Sequence, residues 1–268
     1  MSRLAGRVCL VTGSTGIAAA SAERFAREGA SVFVTSRTEE HCRALAERIG
    51  SGAAYETADL TDQVAVEAVV AACVDRFGRI DGLFSVVGGS GRRFGDGPVD
   101  RLDADAWEAT LALNLRTQAL VCRSVVGQMR TQPPNDSGTR GSILLMGTVT
   151  ATDPVPELFG THAYAAAKGA ITALMTSMAA TYVVDRIRVN AVAPSLTRTP
   201  MATRAANDER ILAFARQKQP LAGEMLDPSE VANAAVFFLS DESRAVTGQL
   251  LKVDGGWSVV SVGPEVAG

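Results

Sequence analysis

At 268 residues, 47% of them hydrophobic and 21% charged, the chain is long enough to bury a sizeable core and reads as one compact soluble domain, 1–268, rather than a multi-domain array. A formal net charge of −3 supplies no cationic face for a phosphate backbone, which excludes nucleic acid as the expected partner. No apolar run reaches membrane-spanning length, the N-terminal MSRLAGRVCLVTG lacks a signal peptide's long apolar stretch, and Cys9, Cys42, Cys73 and Cys122 stand singly; no membrane, no metal and a reducing cytoplasmic setting are therefore expected.

Taken in chain order, apolar bursts alternate with stretches of helical period. Residues 7–11 predict a first strand and 17–28 the helix after it. Between them, in VTGSTGIAA, Gly13, Thr15, Gly16 and Ile17 occupy a strand-to-helix turn whose amides are placed to meet a pyrophosphate. Its place between strand and helix supports phosphate binding, but a glycine pair alone is weak evidence because a plain tight turn uses it too. Strand 31–35 ends in Ser36 and Arg37, helix 39–49 follows, and strand 53–57 leads to Asp59 and Leu60. Helix 62–77 precedes strand 82–87, which runs into Gly88 and a loop carrying Arg92, Arg93 and Phe94. A long helix is predicted over 103–129, with Asn114 inside it, and 130–141 is a polar, turn-rich loop. Strand 142–146 gives way to Thr148 and Thr150, then to helix 163–183. Strand 187–192 is followed by Ser195, Leu196 and Thr199 and by an insertion, 198–227, with a helix of its own, read as a substrate lid. Helix 229–239 and strand 249–253 complete the pattern.

Such alternation predicts an α/β architecture, with seven strands in a mostly parallel sheet and crossover helices on both faces. The chemistry concentrates in YAAAK, residues 164–168, on the helix after the fifth strand. A spacing of four puts Tyr164 and Lys168 on one helical face, where an ammonium favours the phenolate and lowers the phenol's pKa from about 10. A tyrosine so tuned exchanges a proton with a carbonyl or an alcohol.

Together with the glycine turn, with VNAVAPSLTRTPM at 189–201 and with VTGQLLKVDGGWS at 246–258, this motif resembles the short-chain dehydrogenase/reductase family over nearly the whole chain. The resemblance implies a Rossmann-type doubly wound fold and an NAD(P)(H)-dependent oxidoreductase that interconverts a ketone or aldehyde with an alcohol by hydride transfer. It implies Tyr164 as general acid/base, Lys168 as the lysine that also holds the nicotinamide ribose, and Asn114 as the residue that shapes a water path to that lysine. The family's catalytic serine is replaced: in LLMGTVTA the candidate is Thr148, with Thr150 as the alternative because the chain from Thr148 to Tyr164 is long. Cofactor contacts are implied at Gly13, Thr15, Gly16, Ile17, Ser36, Arg37, Asp59, Leu60, Val87, Gly88, Ser195, Leu196 and Thr199, besides Tyr164 and Lys168. Ser36 stands at the usual acidic position and Arg37 follows it, which favours NADP(H) over NAD(H); Arg37 as an ordinary solvated charge is the competing reading.

Departures from the family pattern keep a second reading open, a dinucleotide-binding protein with weak or lost catalysis and a regulatory or subunit role. Only Ser14 and Thr15 separate the first two glycines, and Ala18 takes the third glycine's place. FSVVGG replaces the family's Asn-Asn-Ala-Gly, and Ser195 replaces a glycine after Pro194. Retention of Asn114, Tyr164 and Lys168 favours the enzyme acting on a small carbonyl or alcohol. His162 reads as a pocket or surface residue rather than a base. The resemblance also implies a homodimer or homotetramer, paired through helices 103–129 and 163–183.

Overall fold

The computed structural model describes residues 2–262. Its strands are β1 (Val8–Thr12), β2 (Ser31–Ser36), β3 (Ala53–Thr57), β4 (Gly82–Ser85), β5 (Gly141–Met146), β6 (Ile187–Pro194) and β7 (Leu250–Val253). The helices are α1 (Gly16–Arg27), α2 (Glu39–Ile49), α3 (Gln63–Phe77), α4 (Ala104–Leu111), α5 (Thr117–Thr131), α6 (Pro156–Phe159), α7 (His162–Tyr182), α8 (Thr203–Ala206), α9 (Glu209–Lys218) and α10 (Pro228–Leu239).

Every residue of β1, β4, β5 and β6 is buried, as strands covered on both faces must be. Alternate side chains feed two layers. Leu10, Phe33, Leu83, Ile143 and Leu145 pack with α3, α5 and α7, while Val11, Val34, Phe84, Leu144 and Met146 pack with α1, α2 and α10. Several helices start on an aspartate that accepts a first-turn amide: Asp62 from Val64, Asp103 from Ala106, Asp208 from Arg210 and Asp227 from Ser229. All strand pairs are parallel, in the order β3, β2, β1, β4, β5, β6, β7. The order reverses between β1 and β4, and a crevice opens outside the C-terminal ends of the strands there.

Three expectations are corrected. The helix expected over 103–129 is α4 and α5 joined by a π-helical turn, Ala112–Arg116, that holds Asn114. The wide turn adds a residue without breaking the run of helical dihedrals, so the sequence pattern reads straight through it. The strand expected over 82–87 stops at Ser85, because the amides of Val86 and Val87 turn to the Thr12 hydroxyl at 2.8 and 3.2 Å. That hydroxyl ties the ends of β1 and β4 where the family's asparagines are missing. The insertion carries two helices, α8 and α9, instead of one. Its base is closed by a bridge between Thr197 and Leu226 and by the Arg198 amide on the Leu226 carbonyl at 2.9 Å.

Candidate active site

A cavity of about 740 Å³ runs along the C-terminal ends of the strands. The glycine turn, the end of β2, Asp59, Leu60, Val87, Gly88, Thr148, Tyr164, Lys168, Ser195, Leu196 and Thr199 all line it. Gly13 and Gly16 adopt φ of +105° and +55°. A Cβ on Gly13 would stand 2.9 Å from the Ala18 Cβ, and one on Gly16 would stand 2.9 Å from the Thr199 Cγ2, so both positions demand glycine despite the shortened spacing. Thr15 begins α1 without capping it through its side chain, and the first turn carries no acidic residue. The amides and positive end of the helix therefore face the cavity with no competing side-chain oxygen, the donor chemistry that suits a pyrophosphate.

At the end of β2 the Ser36 hydroxyl bonds the Ser14 hydroxyl at 2.8 Å and the Cys42 thiol at 3.0 Å. The Arg37 guanidinium lies 4.0 Å from Asp59, with both side chains about half exposed. Such a long exposed pair holds its partners weakly. Burial pushes up the thiols of Cys9, Cys73 and Cys122, the last two to about 12, and all four cysteines are free, as small core residues are.

On the other side of the glycine turn, α7 presents Tyr164 and Lys168 to the cavity. The Lys168 ammonium lies 5.8 Å from the centre of the Tyr164 ring and donates to the Met146 carbonyl at 2.8 Å. Burial lowers Lys168 from 10.5 to about 7. Burial also raises the Tyr164 phenol, to about 12, and the Thr148 hydroxyl pulls it back down. The ammonium does not dominate the phenol as the spacing predicts, because desolvation of both groups outweighs their mutual effect. Thr148 and Thr150 both line the cavity with their hydroxyls 3.1 Å apart, and it is Thr148 that acts on the phenol.

Asn114, fully buried in the π-helical turn, pairs with Gly89 in both directions. Its Oδ1 accepts from the Gly89 amide at 3.0 Å, and its Nδ2 donates to the Gly89 and Thr110 carbonyls at 2.9 Å each. The side chain thus clamps the loop after β4 to the end of α4. A Cβ on Gly88 would stand 2.6 Å from Asn114 Oδ1 and 3.3 Å from Lys168 Nζ, so only glycine fits between them. The Ser195 hydroxyl is buried without a hydrogen-bond partner beside the cavity.

Sequence reasoning missed four contributors. Gln118 donates to the Met146 carbonyl at 3.1 Å, the same oxygen that receives Lys168. Asp96, in the loop after β4, accepts the Ala163 and Tyr164 amides at 3.0 and 2.9 Å and so caps α7 from a distance. Arg204 of α8 reaches the cavity mouth, and Trp257 closes a side wall by packing on Phe159 and Phe214. Each acts through tertiary contact; the one local signal was the turn-rich GDGP around Asp96. His162 is exposed and its Nδ1 accepts the Val99 amide at 3.1 Å, a staple between loop and helix. Among the described residues no helix is long and apolar enough to cross a membrane, and no three His, Cys, Asp or Glu side chains gather to hold a metal.

An open parallel sheet with a glycine turn at its reversal point and a tyrosine–lysine pair beside it defines a dinucleotide-dependent α/β oxidoreductase. A family model described as enoyl-(acyl carrier protein) reductase matches residues 11–258. Short-chain dehydrogenase reductase 5 of Arabidopsis thaliana is 35% identical over 265 residues, 97% of each chain. A short-chain type dehydrogenase/reductase from Mycobacterium ulcerans superposes with a TM-score of 0.86 at 28% identity, covering 96% of this chain and 91% of that one. The 3-ketoacyl-(acyl-carrier-protein) reductase from Brucella melitensis, solved in complex with NADH, gives 0.83 at 26% identity over 96% and 100%. The chain belongs to the short-chain dehydrogenase/reductase family of NAD(P)-dependent oxidoreductases.

Proposed function

We propose that this single domain reduces a ketone or aldehyde with NADPH, or runs the reverse oxidation, using Tyr164, Lys168, Thr148 and Asn114. The observation that carries this reading is the convergence of a phenol, an ammonium and a threonine hydroxyl on one cavity whose far end carries the glycine turn. Gly13, Thr15, Gly16 and Ile17 would hold the pyrophosphate, Ser36, Arg37, Asp59 and Leu60 the adenosine, and Val87, Gly88, Ser195, Leu196 and Thr199 the nicotinamide side. When bound, the nicotinamide supplies or accepts a hydride at the substrate carbon. In the reducing direction Tyr164 gives its proton to the substrate oxygen, and in the oxidising direction it takes that proton back. Thr148 donates a hydrogen bond to the same oxygen as charge develops there. Lys168 supplies positive charge behind the ring, which favours the phenolate that remains after proton transfer. Asn114 keeps the loop carrying Gly88 and Gly89 in place, and 198–227 covers the substrate. The NADH-bound relative supports a nicotinamide dinucleotide, and Arg37 supports the phosphorylated form. Homodimer or homotetramer pairing through α4, α5 and α7 completes the proposal; a sedimenting species no larger than one chain would remove that part alone.

The test is Tyr164→Phe. Turnover of carbonyl compounds is expected to fall by about 10²- to 10⁴-fold with cofactor affinity retained, because the ring stays and the proton goes. Turnover near the wild-type level, or wild-type enzyme that binds cofactor yet reduces no carbonyl in a broad panel, would overturn the reading.

A further inference from the structure

The two ends of the cavity differ in charge. Asp59, at the end below β2, is the one carboxylate among the described lining residues, and Arg37 stands 4.0 Å from it, so that end is balanced in charge. Beyond Tyr164 and Lys168 the lining holds Arg92 and Arg93, from the turn after β4, and Arg204 of α8. Arg93 lies over the Phe94 ring, 4.5 Å from its centre, and is engaged there. Arg92 and Arg204 converge instead: each directs an Nη2 at the Leu158 carbonyl, at 3.3 and 3.1 Å. The two guanidiniums are therefore separated by no more than those two bonds laid end to end.

Both residues are exposed, so water screens their mutual repulsion; what the pair offers is two sets of free donors that suit an anion. Neither arginine forms an ion pair among the described residues, and a neutral carbonyl occupies only one of each guanidinium's five donors. Asp96 is nearby, but both of its oxygens are taken by the amides that begin α7. Partial desolvation first, and then the charge of Arg204, lowers Arg92 from its ordinary value, while the pull of Asp96 is the weakest of the three influences. The cavity wall that carries these arginines and Tyr164 also includes the apolar side chains of Phe159, Met201 and Trp257. A hydrocarbon stretch fits that wall, with a polar reacting group at one end and an anion at the other.

We propose that Arg92 and Arg204 form a clamp for the anionic end of the substrate, so that the enzyme selects oxo or hydroxy compounds bearing a carboxylate or phosphate away from the reacting carbon. The proposal rests on the oxidoreductase reading above. Planar guanidiniums recognise both anions through paired hydrogen bonds, so the two sources share one chemistry.

The experiment uses straight-chain oxo-carboxylates of increasing length, their methyl esters, and oxoalkyl phosphates of matching length. Binding is measured by calorimetry on Tyr164→Phe saturated with NADP⁺, which needs no turnover, and kcat/KM is measured on the wild type with NADPH. An anionic probe is expected to bind about tenfold or more tightly than its ester, with an advantage that shrinks in added salt. Arg92→Met with Arg204→Met should bring the anion down to the level of its ester, and Arg204→Lys should retain part of the preference. The tighter of carboxylate and phosphate names the substrate's anionic group. Equal affinity and equal kcat/KM for anions and esters would overturn the clamp while leaving the oxidoreductase reading intact. Equal losses for anion and ester in the double variant would also overturn it, since the arginines would then merely hold the loop. Anion binding with no hydride transfer to any probe would instead sink the oxidoreductase reading.

Discussion

At Lys168 the proposed function and the stability of the fold compete. Its side chain is 2% exposed and its ammonium has one hydrogen-bond partner, the Met146 carbonyl, at 2.8 Å. Its value in the fold, about 7, lies below the ordinary 10.5, so between those two pH values the unfolded chain binds a proton that the native chain does not. Stability contributed through this group therefore rises with pH across that window. The penalty is complete below about pH 7 and gone above 10.5. Lys168→Met is expected to stabilise the cofactor-free protein by on the order of 3 kcal/mol at pH 7, with the gain fading toward pH 10. Urea titrations of both proteins at the two pH values check this, and a gain independent of pH would disprove it. The same variant should lose most turnover. The spacing of Tyr164 and Lys168 was legible in five letters of sequence, because helical geometry alone puts them on one face. The direction of their pKa values was not, since it is set by burial, which depends on what the rest of the chain stacks around them. Thr148 and Thr150 likewise could not be told apart from their order in the chain, and the fold brings both to the cavity with their hydroxyls 3.1 Å apart.

At the scale of the element, α7 is a 21-residue helix with no side-chain cap from its own N-terminal neighbour, Thr161. Asp96, 67 and 68 residues earlier, supplies the cap by accepting the amides of Ala163 and Tyr164. A carboxylate also suits the positive end of the helix. The Gly97 carbonyl, accepting the His162 amide at 3.2 Å, and the His162 staple to Val99 hold the same loop to the same helix end. Asp96 thus positions the first turn of α7, which carries Tyr164. Asp96→Ala should cost about 1–3 kcal/mol, because two amides at a nearly buried site lose their acceptor. It should lower kcat more than cofactor affinity, and Asp96→Asn should recover part of kcat by satisfying one amide. Thermal unfolding together with a split of kcat from the cofactor Kd reads both effects. Unchanged kcat at reduced stability would leave Asp96 a structural cap only. Pattern reading placed α7 to within a residue but could not see this cap, which comes from a distant loop. The π-helical turn at Asn114 was hidden for the complementary reason: its side chains continue the helical run, and only the hydrogen-bond register changes.

Across the whole molecule, the alternation of apolar bursts and helical periods was sufficient for the fold, because strands buried on both faces and helices amphipathic on one leave few other ways to build a core. The adenosine end of the cavity tests how far that reading extends to the cofactor. The shortened turn keeps Gly13 and Gly16 in positive φ and leaves the first amides of α1 uncapped. Any dinucleotide that binds there stabilises the native state by mass action, about 2.7 kcal/mol at a hundredfold excess over Kd. For a domain of this size that corresponds to a rise in Tm of roughly 5–10 °C. Arg37 is held only by a 4.0 Å contact to half-exposed Asp59, so its donors are available to a 2′-phosphate. At equal concentrations NADP⁺ should therefore raise Tm more than NAD⁺, in line with a ten- to hundredfold difference in Kd expected from about 1.5–3 kcal/mol of charge-assisted bonding. Arg37→Asp replaces attraction at that phosphate with repulsion and offers the free ribose hydroxyls a carboxylate, so the order of the two shifts should narrow or invert. A larger shift with NAD⁺ in the wild-type protein would make Arg37 a surface charge, and no shift with either dinucleotide would mean that the shortened turn does not bind a pyrophosphate.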